Sequence, residues 1–72
     1  MTRDEHLEWA KKRALELIDM GDYNQALISM MSDLGKHDEL RNHSGIMLTT
    51  MLMLGGHLKD RYSVTTHIKG FN

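Results

Sequence analysis

Apolar positions recur with a helical period along most of this 72-residue chain. Leu7, Ala10, Ala14, Leu17 and Ile18 define one face of a first helix. Ahead of them, Thr2-Arg3-Asp4-Glu5 has the form of a capping box: the Thr2 hydroxyl accepts from the backbone N–H of Glu5, and the Glu5 carboxylate reaches back. Asp4, Glu5 and Glu8 also suit the positive end of the helix dipole. Gly21 can take the left-handed conformation that ends a helix. Tyr23, Ala26, Leu27, Met30, Met31 and Leu34 then form a complete amphipathic stripe. Asp22 and Gln25 are expected to cap that second helix with another capping box, and Gly35 to end it. So short a link between two capped helices demands an antiparallel hairpin.

Residues 46–54 break this rhythm, because seven of the nine are apolar. A helix that is apolar nearly all round has to be wrapped. The expectation is therefore a core helix, enclosed by the first two helices and closed from the far end by Val64, Ile68 and Phe71. Met47, Met51 and Met53 are the candidates for a side left uncovered, and so for an oligomer contact. Residues 36–43 are polar, and either Asp38 or Ser44 can cap the helix that follows. Gly55-Gly56 ends it, 57–62 reads as a loop, and Ser63 looks like the cap of a last helix. Val64, Ile68 and His67 face inward there, and Phe71 pins the tail. The expected fold is all-α: one helical domain over 1–72, a compact bundle of three main helices at about 3–20, 23–34 and 43–54 plus a short C-terminal helix at about 64–70.

Composition narrows the function classes. A chain this short has a marginal core, and disulfides, a metal or oligomerisation commonly reinforce such domains. There is no cysteine, which excludes disulfides and cysteine zinc sites and fits a reducing cytoplasm. Nine basic and ten acidic residues give a charge of −1, so neither nucleic acid nor an anionic membrane is an expected partner. The charged N-terminus lacks the apolar stretch of a signal peptide, and 46–54 falls short of the roughly 20 residues that span a bilayer. A soluble cytoplasmic protein is expected. Proline is absent and β-branched residues are few, which disfavours sheet. Seven methionines serve as adaptable core filler or as a binding surface that accommodates different shapes.

Catalytic chemistry is not apparent. None of His6, His37, His43, His57 and His67 is paired at i, i+4, and no His-Glu-x-x-His occurs. His37 and His43 flank Asp38 and Glu39, but solvated or capping histidines account for them, so neither a metal nor a cofactor is expected. Gly55-Gly56 lacks the Lys-Ser/Thr of a phosphate loop, there is no nucleophile elbow, and Asp38-Glu39 has no pocket to separate its pKa values. The chain is not expected to be an enzyme. Lys11-Lys12-Arg13 splay around the first helix instead of clustering, and Lys12 sits at i, i+4 from both Glu8 and Glu16. Trp9 lies roughly 130° from the centre of the apolar face. An outward Trp9 beside Arg13, Glu16 and Met20 has the composition of a partner-binding hot spot, unless the last helix or 36–43 folds back over it. Glu5, Glu8, Glu16 and Asp19 form an acidic ridge, interrupted by Lys12, that can face a basic groove or simply be a solvated helix back.

Gly21-Asp22-Tyr23-Asn24-Gln25-Ala26-Leu27 resembles the turn and second-helix start of a tetratricopeptide repeat, with Ala14 at the small position of the first helix. The likeness covers about 20 residues, with Asp33 where the repeat has a small residue, and it implies a similar hairpin, since a solenoid needs about three repeats. Along the whole chain, Glu8-Trp9, Lys12-Arg13-Ala14-Leu15, Ser32-Asp33-Leu34-Gly35-Lys36-His37, Gly55-Gly56-His57-Leu58 and Ile68-Lys69-Gly70-Phe71-Asn72 resemble small bacteriophage and prophage proteins. That resemblance implies an accessory phage protein acting in the host bacterial cytoplasm, a class rich in inhibitors of bacterial defence, including anti-CRISPR proteins. The functional expectation is a non-enzymatic protein-binding module, a phage-encoded inhibitor of a host defence complex. Two alternatives stand beside it. One is a homo-oligomer, such as a homodimer, that binds a nucleotide signal between subunits. The other is a nucleic-acid-binding regulator, although the second helix offers no Arg or Lys on its outward face.

Overall fold

The computed structural model describes residues 2–71; Met1 and Asn72, the ends of the expected 1–72 domain, lie outside the described residues. Four helices follow one another: α1 (Arg3–Asp19), α2 (Tyr23–Gly35), α3 (Ser44–Leu54) and α4 (Arg61–Lys69), with no strand among the described residues. The expected all-helical class holds.

Local chemistry sets most of the helix ends. Thr2 caps α1 in a full capping box with Glu5, and the Thr2 backbone N–H, helped by its hydroxyl, holds the Glu5 carboxyl below its ordinary pKa. Two Schellman motifs end α1 and α3. After α1, Asp22 N–H reaches Leu17 O at 3.0 Å and Gly21 N–H reaches Ile18 O at 2.9 Å, with Gly21 at φ +82°. After α3, His57 N–H reaches Leu52 O at 2.9 Å and Gly56 N–H reaches Met53 O at 3.1 Å, with Gly56 at φ +75°. Both left-handed positions need glycine because a Cβ there would crowd the backbone.

Three capping expectations are corrected. Asp22 makes no side-chain cap bond, so the second capping box does not form; its ψ of 74° departs from the extended backbone that such a box requires. Asp60, not Ser63, caps α4, and Ser63 is the third helical residue answering it, so the helix starts at Arg61 and spans Arg61–Lys69 where 64–70 was expected. The Ser63 backbone N–H chiefly keeps the Asp60 carboxyl below its ordinary pKa. Neither Asp38 nor Ser44 caps α3: His43 does, its Nδ1 accepting the Gly45 N–H at 2.9 Å.

Helices α1, α2 and α4 make the body. His6, near the start of α1, donates through Nε2 to the carbonyl of Asp33, near the end of α2, so the two helices run antiparallel. Arg61 meets Asp19 at 2.7 Å while Lys11 meets the Lys69 carbonyl at 3.4 Å, so α4 also runs antiparallel to α1. Ala10, Ala14 and Ala26 are wholly buried and let the helix backbones approach closely. Around them pack Leu7, Ile18, Leu27, Met30, Leu34, Val64, Ile68 and Phe71. One further anchor comes from the polar connection: Leu40, fully buried among the turns of 36–43, ties that segment to the core.

The expectation for 46–54 is overturned. Helix α3 is not the core; by backbone proximity it leans on α2 alone. Its only buried residue is Thr49, while Ile46 and Met53 are half-covered against the core edge. The first two helices close onto each other and onto α4, whose Val64 and Ile68 take the place that α3 was expected to fill.

Candidate functional site

The site of interest is the outer side of α3, and its orientation starts at Thr49. The Thr49 hydroxyl lies 2.6 Å from the Gly45 carbonyl, which can only accept, so Thr49 donates there. The same oxygen lies 2.6 Å from His67 Nε2 on α4 and accepts from it, giving the relay His67 to Thr49 to Gly45. Burial pushes the His67 pKa down, so the neutral Nε2–H form serves this bond without placing a charge against the Phe71 ring, whose centroid is 5.2 Å away. Two histidines meet the tail, since the His43 ring lies 5.4 Å from Phe71 as well.

With Thr49 held inward, helical geometry turns Thr50, Leu54, Met47, Met51 and Leu48 outward in one arc. Met47 is 71% exposed, Leu48 50%, Met51 63% and Leu54 85%. The helix is thus largely inverted: its one fully buried side chain carries a hydroxyl, flanked by the half-covered Ile46 and Met53, while Met47, Leu48, Met51 and Leu54 face solvent. Met47, Leu48, Thr50 and Met51, with Ile46 beneath, line an open groove of about 740 Å³ that Arg41, Asn42 and Ser44 border at the N-terminal end of α3. Of the three methionines expected as an oligomer contact, Met47 and Met51 lie on this face. Met53 does not; it packs toward the core.

The expected hot spot on α1 is arranged differently. Trp9 is half-buried and packed on the core, not outward. The buried arc of α1 is wider than its apolar residues indicate because His6 is buried too, under the His37 ring at 5.1 Å, and His6 in turn lies 5.1 Å from Trp9. Arg13 covers another part of the indole, its guanidinium carbon 4.8 Å from the ring centroid. Arg13 is also bonded through Nε to the buried carboxylate of Asp33 at 2.8 Å, with Lys36 Nζ at 3.3 Å from the other oxygen. It therefore fastens α1 to α2. Glu16 and Met20 are exposed, Met20 as the residue that closes α1.

Nor do the acidic residues make a uniform ridge. Glu5 is held in the α1 cap, Asp19 pairs with Arg61 at 2.7 Å and Glu8 lies 3.8 Å from Lys11. Glu8, Glu16 and Asp19 share their groove with Lys11, Lys12 and Lys69, a mixed-charge surface. Among the described residues no three His, Asp or Glu side chains gather in a metal-binding group, and no helix is long and apolar enough to cross a membrane.

Leu48, Leu54, Asp33, His6 and Leu40 escape a reading by sequence. Leu40 had a signal, as the single apolar residue between Lys36 and His43. Asp33 had a weaker one, as the break in the tetratricopeptide likeness. Compared with protein-family models, curated proteins and solved structures, the chain matches none.

Proposed function

We propose that this protein is a non-enzymatic protein-binding module whose contact surface is the outer face of α3, and that the occupant of that face is the apolar side of another helix. The inversion of α3 carries this reading. An ordinary surface helix turns its apolar stripe to the core; here the one fully buried position is a hydrogen-bonded threonine, Ile46 and Met53 are only half-covered, and four methionine and leucine side chains face outward. Four exposed large apolar residues within eight positions make a patch of the kind that marks an interaction site. Methionine suits it, being unbranched and able to conform to a partner's shape. A helix fits best, because Met47, Met51 and Leu54 repeat at i, i+4 and i+7, the spacing of a helix-packing seam.

The finer reading, an inhibitor of a host defence complex encoded by a phage, is supported by the resemblance to small phage proteins. Its contact would be the flank of α1 on which Glu16 and Met20 are exposed and Trp9 is half-covered.

The test uses tagged wild type, Met51→Glu and Trp9→Ala in bacterial lysate, with a differently tagged copy of the chain present. The expected result is capture of a protein, foreign or the second copy, that Met51→Glu loses while keeping its helical circular dichroism. Capture of the same proteins by wild type and Met51→Glu, or of none, overturns the α3 reading. Loss on Trp9→Ala alone assigns the contact to α1.

A further inference from the structure

We infer that the helix occupying the α3 face is α3 of a second copy of this chain, set antiparallel with Met51 beside the two-fold axis. This rests on the reading of α3 as the contact surface and names its partner.

The spacing gives the geometry. Met47, Met51 and Leu54 follow the 3.5-residue seam along which two helices pack at about 20° with axes 8–10 Å apart. The midpoint of the stripe falls between Thr50 and Met51. An antiparallel two-fold there opposes Met47 to the partner's Leu54 and Thr50 to the partner's Met51, which brings the two Met51 side chains beside each other across the axis, offset by one residue's rise of ~1.5 Å, with Leu48 flanking on both sides. Each contact occurs twice, as a closed isologous dimer requires. Antiparallel pairing also sets the positive end of each α3 dipole beside the negative end of the other. Arg41, at the groove's N-terminal border, then comes to the C-terminal end of the partner's α3.

Charge favours a second copy over a foreign protein. The outward arc of Thr50, Leu54, Met47, Met51 and Leu48 holds no ionisable group. A foreign partner is commonly selected by a charge pattern, and copies of a charged face repel each other. This face has no such pattern and no such penalty. Area agrees: from the fractional exposures, the patch offers on the order of 600 Å² per chain, which doubles to the lower edge of the roughly 1,200–2,000 Å² buried in specific interfaces. A domain of this length also gains from a partner, since its own core is small.

The test is light scattering and sedimentation of the purified chain from micromolar to millimolar concentration. Wild type is expected to show a concentration-dependent dimer. Met51→Glu, which sets two carboxylates together beside the axis, is expected to weaken it by about a hundredfold or more. Tyr62→Glu, on the exposed side of α4, leaves it unchanged. Because the chain has no cysteine, single thiols report the pairing independently of stability. Met51→Cys alone, and Met47→Cys mixed with Leu54→Cys, form disulfide-linked dimers; Met47→Cys alone does not. A monomer at every concentration overturns the inference, as does self-linking of Met47→Cys, the mark of a parallel pair. If that monomer still captures a foreign protein that Met51→Glu loses, the protein-binding reading stands. If it instead floats with phosphatidylcholine vesicles through the same face, both readings fall.

Discussion

Helices α2 and α3 are both short, apolar and closed by glycine-containing ends, yet they bury opposite parts of themselves. In α2 the stripe Ala26, Leu27, Met30 and Leu34 is sealed against α1 and α4, while Asn24, Gln25 and Ser32 face water. In α3 the sealed position is Thr49, and Met47, Leu48, Met51 and Leu54 face water. Each helix buries one polar side chain, and each of those is fully partnered. Asp33 receives Arg13 and Lys36; Thr49 receives His67 and donates to its own helix. Polar residues on one side of α2 mark its outside, so hydrophobic burial can choose the face. Around α3 there is almost no polar mark, and a hydrogen bond chooses it instead.

The widest separation between the two helices comes from truncating a leucine in each. Leu27→Ala, in the sealed stripe, should cost about 2–5 kcal/mol of unfolding free energy, whereas Leu54→Ala should change it by less than about 0.5 kcal/mol in dilute protein. Urea unfolding of both variants measures the contrast, and similar losses would mean that α3 packs inward after all. Next comes the polar anchor of α2. Asp33→Ala is expected to lose about 2–3 kcal/mol: the charge-assisted bonds vanish, but Arg13 and Lys36 are exposed enough to hydrate, so the cost stays below that of a stranded buried ion.

The anchor of α3 is weaker. Thr49→Val keeps the shape and removes the relay, leaving His67 Nε2 without its acceptor, for an expected loss of about 1–2 kcal/mol. The same substitution one helix later should go the other way. Thr65 Oγ1 is buried with no hydrogen-bond partner among the described residues, so Thr65→Val should be neutral or stabilising by up to about 1 kcal/mol. Thermal melts of the two valine variants side by side test whether the hydrogen bond or the methyl group decides.

The smallest effect is on pH. Burial lowers the folded-state pKa of His67 from its ordinary value of about 6.5, so the unfolded chain takes up the proton first as pH falls. The contribution of His67 is complete above pH ~6.5 and declines as the solution is acidified toward its folded pKa. Stability profiles of wild type and His67→Gln should therefore converge over that range. A profile for wild type that rises on acidification would contradict the neutral relay.

By itself the sequence determined the class and the hinges of this protein. Thr2 and Glu5 form their cap, Gly21 and Gly56 take the left-handed turns, and the stripes of α1 and α2 meet as a hairpin, because each depends on residues within a turn or two along the chain. Asp60 could have been found the same way, since Asp60 and Ser63 are three apart. Only the tertiary structure decided which helix is core and which is surface. That choice depended on Leu40 anchoring the connection, on Asp33 drawing Arg13 off the outer face of α1, and on His67 turning Thr49 inward. Those partners lie between 18 and 20 residues apart in the two bonded pairs, beyond any local periodicity, and they compete for one small core. Burial depends on area and is blind to order along the chain. It filled that core with α1, α2 and α4 and left the most apolar helix to face outward.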